Sequence, residues 1–243
     1  MELIPKTIHY CWFGGNDKPD IVKKCIGSWE RHLSGYRFVE WNESNFDISC
    51  NAYVKEAYAA RKFAFVSDYA RAHALCSQGG IYLDTDVEVF KPFDDLLHHE
   101  SFWGFEQADF IATSTIGCAP GNRLMKQFVD SYECISFLKE DGSHNDLTNV
   151  AMISRILEGH GLLLNGQYQE LEGIGAFYPQ TYFSPYDYIN HRKLITENTY
   201  AMHHFHKSWL PPSVRLKSSI KKAAALVIGG DNIARLRKWV TKA

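Results

Sequence analysis

Two aspartates near the middle of the chain have the spacing of a metal site. Asp84 and Asp86 follow the apolar run 81–83, and side chains two residues apart in an extended segment project to the same side. Mg²⁺ and Mn²⁺ bind carboxylate oxygens readily and often share their coordination shell with a phosphate. The pair therefore predicts a cation that bridges the protein and the diphosphate of a nucleotide.

An acid and a base precede this pair on a predicted helix. Asp68 and Arg71 are three residues apart, so they share one helix face. A surface salt bridge would explain them without a function, and such a bridge contributes less than about 1 kcal/mol. A carboxylate beside a guanidinium also suits sugar hydroxyls and phosphate oxygens. Both interpretations stay open at this point.

The hydrophobic patterns predict alternating strands and helices that would position these residues. Strands are predicted over 7–13, 36–41, 80–84, 87–90, 102–105, 110–118, 168–171 and 200–205. Helices are predicted over 18–33, 51–61, 63–78, 122–138 and 146–158, and loops over 173–198. The first strand, helix and strand form a βαβ unit, which favours a mostly parallel sheet with ligands beyond the carboxyl ends of its strands.

Length and composition indicate an ordinary folded protein. The chain has 243 residues, 45% of them hydrophobic and 22% charged, which excludes a disordered or membrane-embedded body. Six cysteines are scattered without a C-x-x-C pair, so we expect reduced thiols and no structural zinc. Residues 1–6 lack the features of a signal peptide, and we expect a cytoplasmic location.

The C-terminal tail differs in charge from the rest of the chain. Residues 215–243 carry eight lysines and arginines and one acidic residue. Apolar stripes with basic flanks predict amphipathic helices that could lie on the anionic inner face of the plasma membrane, with Trp239 at the interface; docking on the protein's own core is the alternative. We expect a catalytic domain over 1–212 and a helical tail over 213–243. The acidic remainder argues against nucleic acid as a partner.

Four motifs in order resemble glycosyltransferase family 32, which includes capsular polysaccharide transferases and yeast mannosyltransferases with a DXD sugar-binding motif. They are the segments 4–15, 67–71, 79–86 and 201–209. The resemblance implies a GT-A fold, a Rossmann-like α/β/α sandwich with a mostly parallel central sheet. It also implies retaining transfer of a hexosyl unit from a nucleoside diphosphate sugar, a UDP-sugar rather than GDP-mannose, to a glycan or lipid-linked glycan acceptor in surface or capsular polysaccharide synthesis.

The resemblance also assigns roles to individual residues. Asp86 would be the direct ligand of a Mn²⁺ or Mg²⁺ ion, and Asp84 would share that ion and contact the ribose or sugar of the donor. Asp68 and Arg71 would hold hydroxyls of the donor sugar, completing the expected catalytic set. Trp12 would stack on the donor base, with core packing as the alternative.

Further residues of the same motifs are expected in the donor site. Tyr10 would lie there with Trp12, and His203 would complete the metal shell. Ser208 and Trp209 would lie near the diphosphate. Other side chains of the segment 201–209 could instead bind the ion or a phosphate. They are those of His204, His206 and Lys207.

The start of the helix predicted over 146–158 holds three polar residues. For Asn145, Asp146 and Asn149 we expect a capping role, with contact to the acceptor as the alternative.

The sequence offers no unmistakable nucleophile for a covalent intermediate. We therefore expect the acceptor to attack on the face that the diphosphate leaves, with the leaving phosphate as the base.

Two other functions also place an Asp-x-Asp pair at a strand end. A phosphatase of the haloacid-dehalogenase type uses such an aspartate as nucleophile, but it expects Thr or Val where this chain has Glu88, and its motif normally lies on the first strand. A non-catalytic sugar-binding module at a membrane surface is the other alternative. A metal-dependent glycosyltransferase remains the interpretation that uses all four motifs.

Overall fold

A mixed sheet of eight strands runs through the part of the protein that the computed structural model describes, residues 1–107, 109–145, 147–187 and 192–206. The strands of this part are β1 (Thr7–Cys11), β2 (Arg37–Trp41), β3 (Gly80–Leu83), β4 (Val87–Val89), β5 (Ser101–Gln107), β6 (Phe110–Ile111), β7 (Thr115–Cys118), β8 (Gln169–Leu171), β9 (Gly175–Tyr178), β10 (Tyr186–Asp187), β11 (Arg192–Lys193) and β12 (Ala201–His203). The helices are α1 (Asp20–His32), α2 (Ala52–Ala59), α3 (Phe63–Gln78), α4 (Arg123–Glu133), α5 (Asn149–Gly159) and α6 (Gln180–Phe183).

The order of strands in the large sheet is β2, β1, β3, β7, β5, β9, β8, with β6 paired to β5. β1 is parallel to β2 and β3, and β5 is parallel to β9, whereas β7 is antiparallel to both of its neighbours. Five of the eight strands, β1, β2, β3, β5 and β9, therefore run in one direction. The predicted mostly parallel sheet is confirmed, with antiparallel strands inserted at β7 and at the edge.

Alternate residues of the strands face two different hydrophobic cores. Tyr82 of β3 packs in one core with side chains of α2, α3, α4 and α5. Its neighbours Ile81 and Leu83 face the other core, with Trp29 of α1 and Phe183 of α6. Full burial of each such large apolar side chain contributes about 1.5–3 kcal/mol. Helices thus cover both faces, and the predicted GT-A-type α/β/α sandwich is confirmed in its layers.

A separate two-stranded ribbon lies beside the end of β3. β4 pairs with β12 in antiparallel register, so that His203 lies opposite Val87. Trp29 of α1 anchors β4 by donating its indole N–H to Val87 O at 2.7 Å. This ribbon brings the chain near residue 203 back to the segment that follows β3.

The first seven predicted elements, up to residue 90, are confirmed to within two residues at each end. Residues 110–118, predicted as one strand, instead form β6 and β7 with a break at 112–114. The break has a reason, since Thr113 O accepts a hydrogen bond from Arg71 Nη1 at 2.7 Å and Ser114 O accepts one from Asp84 N at 2.8 Å. These two carbonyls therefore accept hydrogen bonds from residues of the candidate site and do not take part in strand pairing.

The prediction of loops over 173–198 is wrong. All four residues of β9 (Gly175–Tyr178) are buried, and β9 pairs with both β5 and β8. A short run that is buried on both faces lacks the alternation that marks a half-buried strand. Gly175 fits here because a Cβ would lie 2.3 Å from Ser101 O. α6, β10 and β11 also fall in this region.

Several expectations concern residues outside the described ranges. They are the amphipathic tail over 213–243, Lys207, Ser208, Trp209 and Asp146.

None of the helices in the described part of the chain combines the length and the apolar composition that crossing a bilayer requires. All six cysteines have free thiols, as predicted.

Candidate active site

A tight turn after β3 carries the two aspartates at the carboxyl end of the sheet. Asp84 N donates to Ser114 O at 2.8 Å, and Val87 N donates to Asp84 O at 2.9 Å. The first hydrogen bond connects the turn to the residues between β6 and β7, and the second closes the turn that leads into β4. Asp84 and Asp86 are therefore fixed by backbone contacts on both sides.

His203 joins these two aspartates. One ligand atom from each of Asp84, Asp86 and His203 lies within 4.8 Å of the other two. His203 Nε2 lies 3.2 Å from Asp86 Oδ1. The two carboxylates suit Mn²⁺ or Mg²⁺, which prefer oxygen ligands, and the imidazole is a ligand more typical of transition metals. The donor set fits the predicted ion.

The other histidines of the late segment have different partners. His204 Nε2 lies 2.8 Å from Glu88 Oε2, and Lys24 Nζ lies 3.0 Å from the same oxygen. His206 donates its backbone N–H to Asp86 Oδ2 at 2.7 Å. Among the described residues, the structure thus brings only the imidazole of His203 into the ligand set.

The electrostatics of Asp86 and His203 depend on each other. Burial opposes ionisation of Asp86, but the charge and hydrogen bond of His203 and the His206 amide outweigh it, so the pKa of Asp86 is lowered well below its usual range. Burial likewise opposes protonation of His203, but Asp86 raises the pKa of His203 to about 9. The pair is therefore an ionised carboxylate beside a protonated imidazole, and binding of a cation to His203 would displace the imidazole proton.

Arg71 connects Asp68 with Asp84. Its Nη2 lies 2.8 Å from Asp68 Oδ1 and 3.2 Å from Asp84 Oδ1, and its guanidinium stacks on the Tyr82 ring with Cζ 4.6 Å from the ring centroid. Only 6% of the Arg71 side chain is exposed. The interpretation as a surface salt bridge is therefore wrong, and the pair is a buried element of the site.

Asn149, Thr113 and Tyr82 complete this cluster. Asn149 Nδ2 donates to Asp68 Oδ1 at 2.7 Å and to Thr113 Oγ1 at 2.9 Å, and Tyr82 OH donates to Asp84 Oδ1 at 2.9 Å. Burial raises the pKa of Asp68 to about 7, with Arg71 and Asn149 opposing the shift. Sequence reasoning missed Thr113 and Tyr82, although Tyr82 lies two residues before Asp84 and so on the same side of the strand.

The capping role expected for Asn149 is wrong. The N-cap of α5 is Thr148, whose Oγ1 accepts from Ala151 N at 3.2 Å. Asn149 is instead the first residue of the helix, and its amide reaches Asp68. Asn145 accepts from Leu147 N at 3.1 Å and donates to Ser136 O, so it orders the loop before the helix.

Trp12 lies in the loop directly after β1. It is half-buried, and its backbone N–H donates to Trp41 O at 2.9 Å while its indole N–H donates to Asn16 O at 2.7 Å. Gly14 in this loop has a φ of 90°, and a Cβ there would lie 2.3 Å from the Phe63 ring. The loop is therefore closely fitted against α3.

Tyr10 does not join the cluster around Arg71. Its ring packs edge-on against Trp29 at 5.4 Å between centroids, on the α1 side of the sheet. Its neighbour Cys11 faces the opposite core, where Arg71 and Tyr82 lie. A contact between Tyr10 and a donor stays a prediction.

A known protein family matches the part of the chain that carries four residues of this site. Residues 1–120, which contain Asp68, Arg71, Asp84 and Asp86, match the family described as capsular polysaccharide synthesis protein. The match covers just under half of the 243 residues. The resemblance inferred from the motifs is confirmed.

The individual relatives of this chain are distant. The subversion of eukaryotic traffic protein A of Legionella pneumophila is 24% identical over 165 residues, 54% of this chain and 25% of that protein. Inositol phosphoceramide mannosyltransferase 1 of Schizosaccharomyces pombe is 29% identical over 113 residues, 42% of this chain and 34% of that protein. A solved glycosyltransferase involved in the glycosylation of the major capsid of PBCV-1 aligns over 88% of this chain and 98% of its own, at 11% identity and a TM-score of 0.46. The chain spans only a quarter to a third of the length of these two curated relatives.

Proposed function

We propose that the protein is a metal-dependent, retaining glycosyltransferase. It transfers a hexosyl unit from a nucleoside diphosphate sugar, a UDP-sugar, to a glycan or lipid-linked glycan in surface or capsular polysaccharide synthesis. The observation that carries the proposal is the ligand set of Asp84, Asp86 and His203 beside the buried pair of Asp68 and Arg71. The match to the capsular polysaccharide synthesis family supports it.

Each side chain of the site has a task in this proposal. A Mn²⁺ or Mg²⁺ ion held by Asp84, Asp86 and His203 would supply Lewis-acid stabilisation for the charge of the leaving diphosphate. Arg71 and Tyr82 orient the carboxylate of Asp84 by hydrogen bonds. Asp68 is held on the other side of Arg71, where it accepts hydroxyls of the donor sugar. Preorganised groups of this kind stabilise a transition state without having to reorganise.

Retention follows from attack on the face that the diphosphate leaves. The acceptor hydroxyl forms a bond to the anomeric carbon as the bond from that carbon to the phosphate oxygen breaks, and the hydroxyl proton passes to the leaving phosphate. Asp68 and Asp84 are both held by Arg71, which suits orienting groups better than a nucleophile. A phosphatase of the haloacid-dehalogenase type is less well supported, because Glu88 is paired with Lys24 and His204.

The experiment is a screen for hydrolysis of nucleotide sugars with and without Mn²⁺. We expect one donor to be hydrolysed only when metal is added, and Asp86→Asn to lower this rate at least about 100-fold. Asp130→Asn is the matched control, since Asp130 lies on the exposed side of α4 and pairs with Lys126. Full activity of Asp86→Asn with added Mn²⁺ would refute the proposal. Turnover of an aryl phosphate by the wild type would favour the phosphatase.

A further inference from the structure

Phe205 lies two residues after the end of β12 and has a backbone conformation that is rare for a bulky residue. Its φ is 51°, and Arg61 is the only other non-glycine residue of the described ranges with a positive φ. The left-handed region brings Cβ close to the backbone, so bulky side chains seldom adopt it. Such a conformation persists where the surroundings determine it, often at functional sites.

The turn at Phe205 directs the amides on either side of it, those of residues 204 and 206, to one aspartate. His204 N donates to Asp86 O at 3.0 Å, and His206 N donates to Asp86 Oδ2 at 2.7 Å. A continued strand would carry residue 206 more than about 6 Å beyond residue 204. The left-handed residue between them allows both amides to reach Asp86.

The ring of Phe205 packs on the imidazole of His203. The ring centroids are 4.1 Å apart with an interplanar angle of 36°. His203 Nδ1 is buried and has no hydrogen-bond partner among the described residues. A histidine that binds a metal is usually oriented by a hydrogen bond from its second ring nitrogen. Among the described residues His203 has no such hydrogen bond, and the Phe205 ring lies against its imidazole.

We propose that Phe205 is a positioning residue of the metal site. Its ring holds the imidazole of His203 toward Asp86, and its left-handed backbone aims the His206 amide at the second oxygen of the same carboxylate. The inference rests on the proposed function, because it requires that Asp84, Asp86 and His203 bind the ion.

The test measures Mn²⁺ binding to the full chain by electron paramagnetic resonance of the free ion, without donor or acceptor. Phe205→Gly removes the ring and still permits the left-handed backbone, and we expect its Kd for Mn²⁺ to rise about 10- to 100-fold. Phe205→Tyr keeps the ring, and its Kd should stay within about threefold of wild type. Arg61→Gly, which relieves the other left-handed residue, exposed and two positions after the end of α2, should bind as wild type.

Activity at two metal concentrations separates positioning from general damage. Donor hydrolysis by Phe205→Gly should be weak at low Mn²⁺ and return to near the wild-type rate at saturating Mn²⁺, which a merely misfolded variant would not show. If Phe205→Gly fails to fold, Phe205→Leu takes its place, because leucine keeps apolar volume without a flat ring.

His203→Ala distinguishes the two levels of the proposal. If His203→Ala loses Mn²⁺ binding while the folded Phe205 variant binds as wild type, the inference about Phe205 is wrong and the metal site stands. If His203→Ala itself binds Mn²⁺ as wild type, the proposed metal site is wrong.

Discussion

Arg71 Nη2 lies 3.2 Å from Asp84 Oδ1, and this contact joins helix α3 to the turn that carries the proposed metal ligands. The same guanidinium donates to Asp68 Oδ1 at 2.8 Å and to Thr113 O at 2.7 Å. Only 6% of the Arg71 side chain is exposed, so these hydrogen bonds are largely shielded from water. Asp68 and Asp84 are thereby held at a fixed separation.

Arg71→Lys should damage both stability and activity. Lysine lacks the planar fork of arginine and cannot reach Asp68, Asp84 and Thr113 together. We expect the free energy of unfolding, measured by urea denaturation, to fall by about 1–3 kcal/mol and kcat/KM for the donor to fall at least about tenfold. Lys126→Met, which removes an exposed pair on α4, should change neither quantity measurably. A fully stable and active Arg71→Lys variant would contradict the role of the fork.

Asn149 and Thr148 are neighbours with different predicted effects. Asn149→Ala removes one of the two buried donors that Asp68 and Thr113 each have, the other being Arg71. We therefore expect a loss of about 1–3 kcal/mol and a raised KM for the donor. Thr148→Ala removes only the helix cap, so stability should fall by about 1 kcal/mol with an unchanged KM. Urea denaturation and donor titration of both variants provide the comparison. Equal KM values for the two variants would show that Asn149 is only structural.

Because His9 is buried, we expect the free energy of unfolding to fall in acid. Its Nδ1 accepts from Trp41 Nε1 at 3.1 Å, and its Nε2 donates to Gly79 O at 2.9 Å, so the ring is neutral. Burial, with a smaller effect of Arg37, lowers its pKa from 6.5 to about 4. Between these values the unfolded state binds more protons, so this stabilisation is complete above pH 6.5 and is lost as pH falls toward 4.

The size of this step follows from the shift in pKa. At about 1.4 kcal/mol per unit, the free energy of unfolding should fall by about 3 kcal/mol from pH 7 to pH 4 through His9 alone. His9→Gln can keep both hydrogen bonds without titrating, so its stability should depend less on pH over this range. Urea midpoints at pH 7, 5.5 and 4.5 measure the difference. Parallel curves for the two proteins would exclude His9 as the cause.

Gly14→Ala tests the loop that carries Trp12. The new Cβ would meet the Phe63 ring at 2.3 Å, and the φ of 90° disfavours any side chain. We expect this loop to shift and the KM for the donor to rise at least about threefold if Trp12 stacks on the base. Gly35→Ala, where a Cβ would meet nothing within 4 Å, is the control. An unchanged KM in Gly14→Ala would count against a donor contact at Trp12.

The basic tail is proposed to contact anionic membrane at the cytoplasmic face. Replacing Lys221, Lys222, Arg235 and Lys238 with glutamine removes half of the eight basic residues of 215–243. Because each basic residue near an anionic surface contributes about 1 kcal/mol, the variant should no longer float with phosphatidylserine vesicles. Hydrolysis of the soluble donor should be unchanged. Flotation equal to that of the wild type would exclude an electrostatic contact through these residues.

The sequence alone determined the features that depend on local spacing. Asp68 and Arg71 are three residues apart on a helix, so helical geometry places them on one face. Asp84 and Asp86 are near each other because they are two residues apart, although a tight turn and not the expected extended segment carries them. The order of β1, α1, β2, α3 and β3 likewise follows from patterns within a few residues of each other. The fold class and the site residues that lie on or next to these elements could therefore be predicted without coordinates.

Only the tertiary structure decided which distant residues complete the site. His203 is selected over His204 and His206 because β12 pairs with β4 in one register, and a shift of one residue would turn another side chain toward Asp86. Asn149 reaches Asp68 across 81 residues of chain, and β9 is a strand because β5 and β8 pair with it. Such contacts depend on packing between segments far apart in sequence, and no local periodicity encodes that packing.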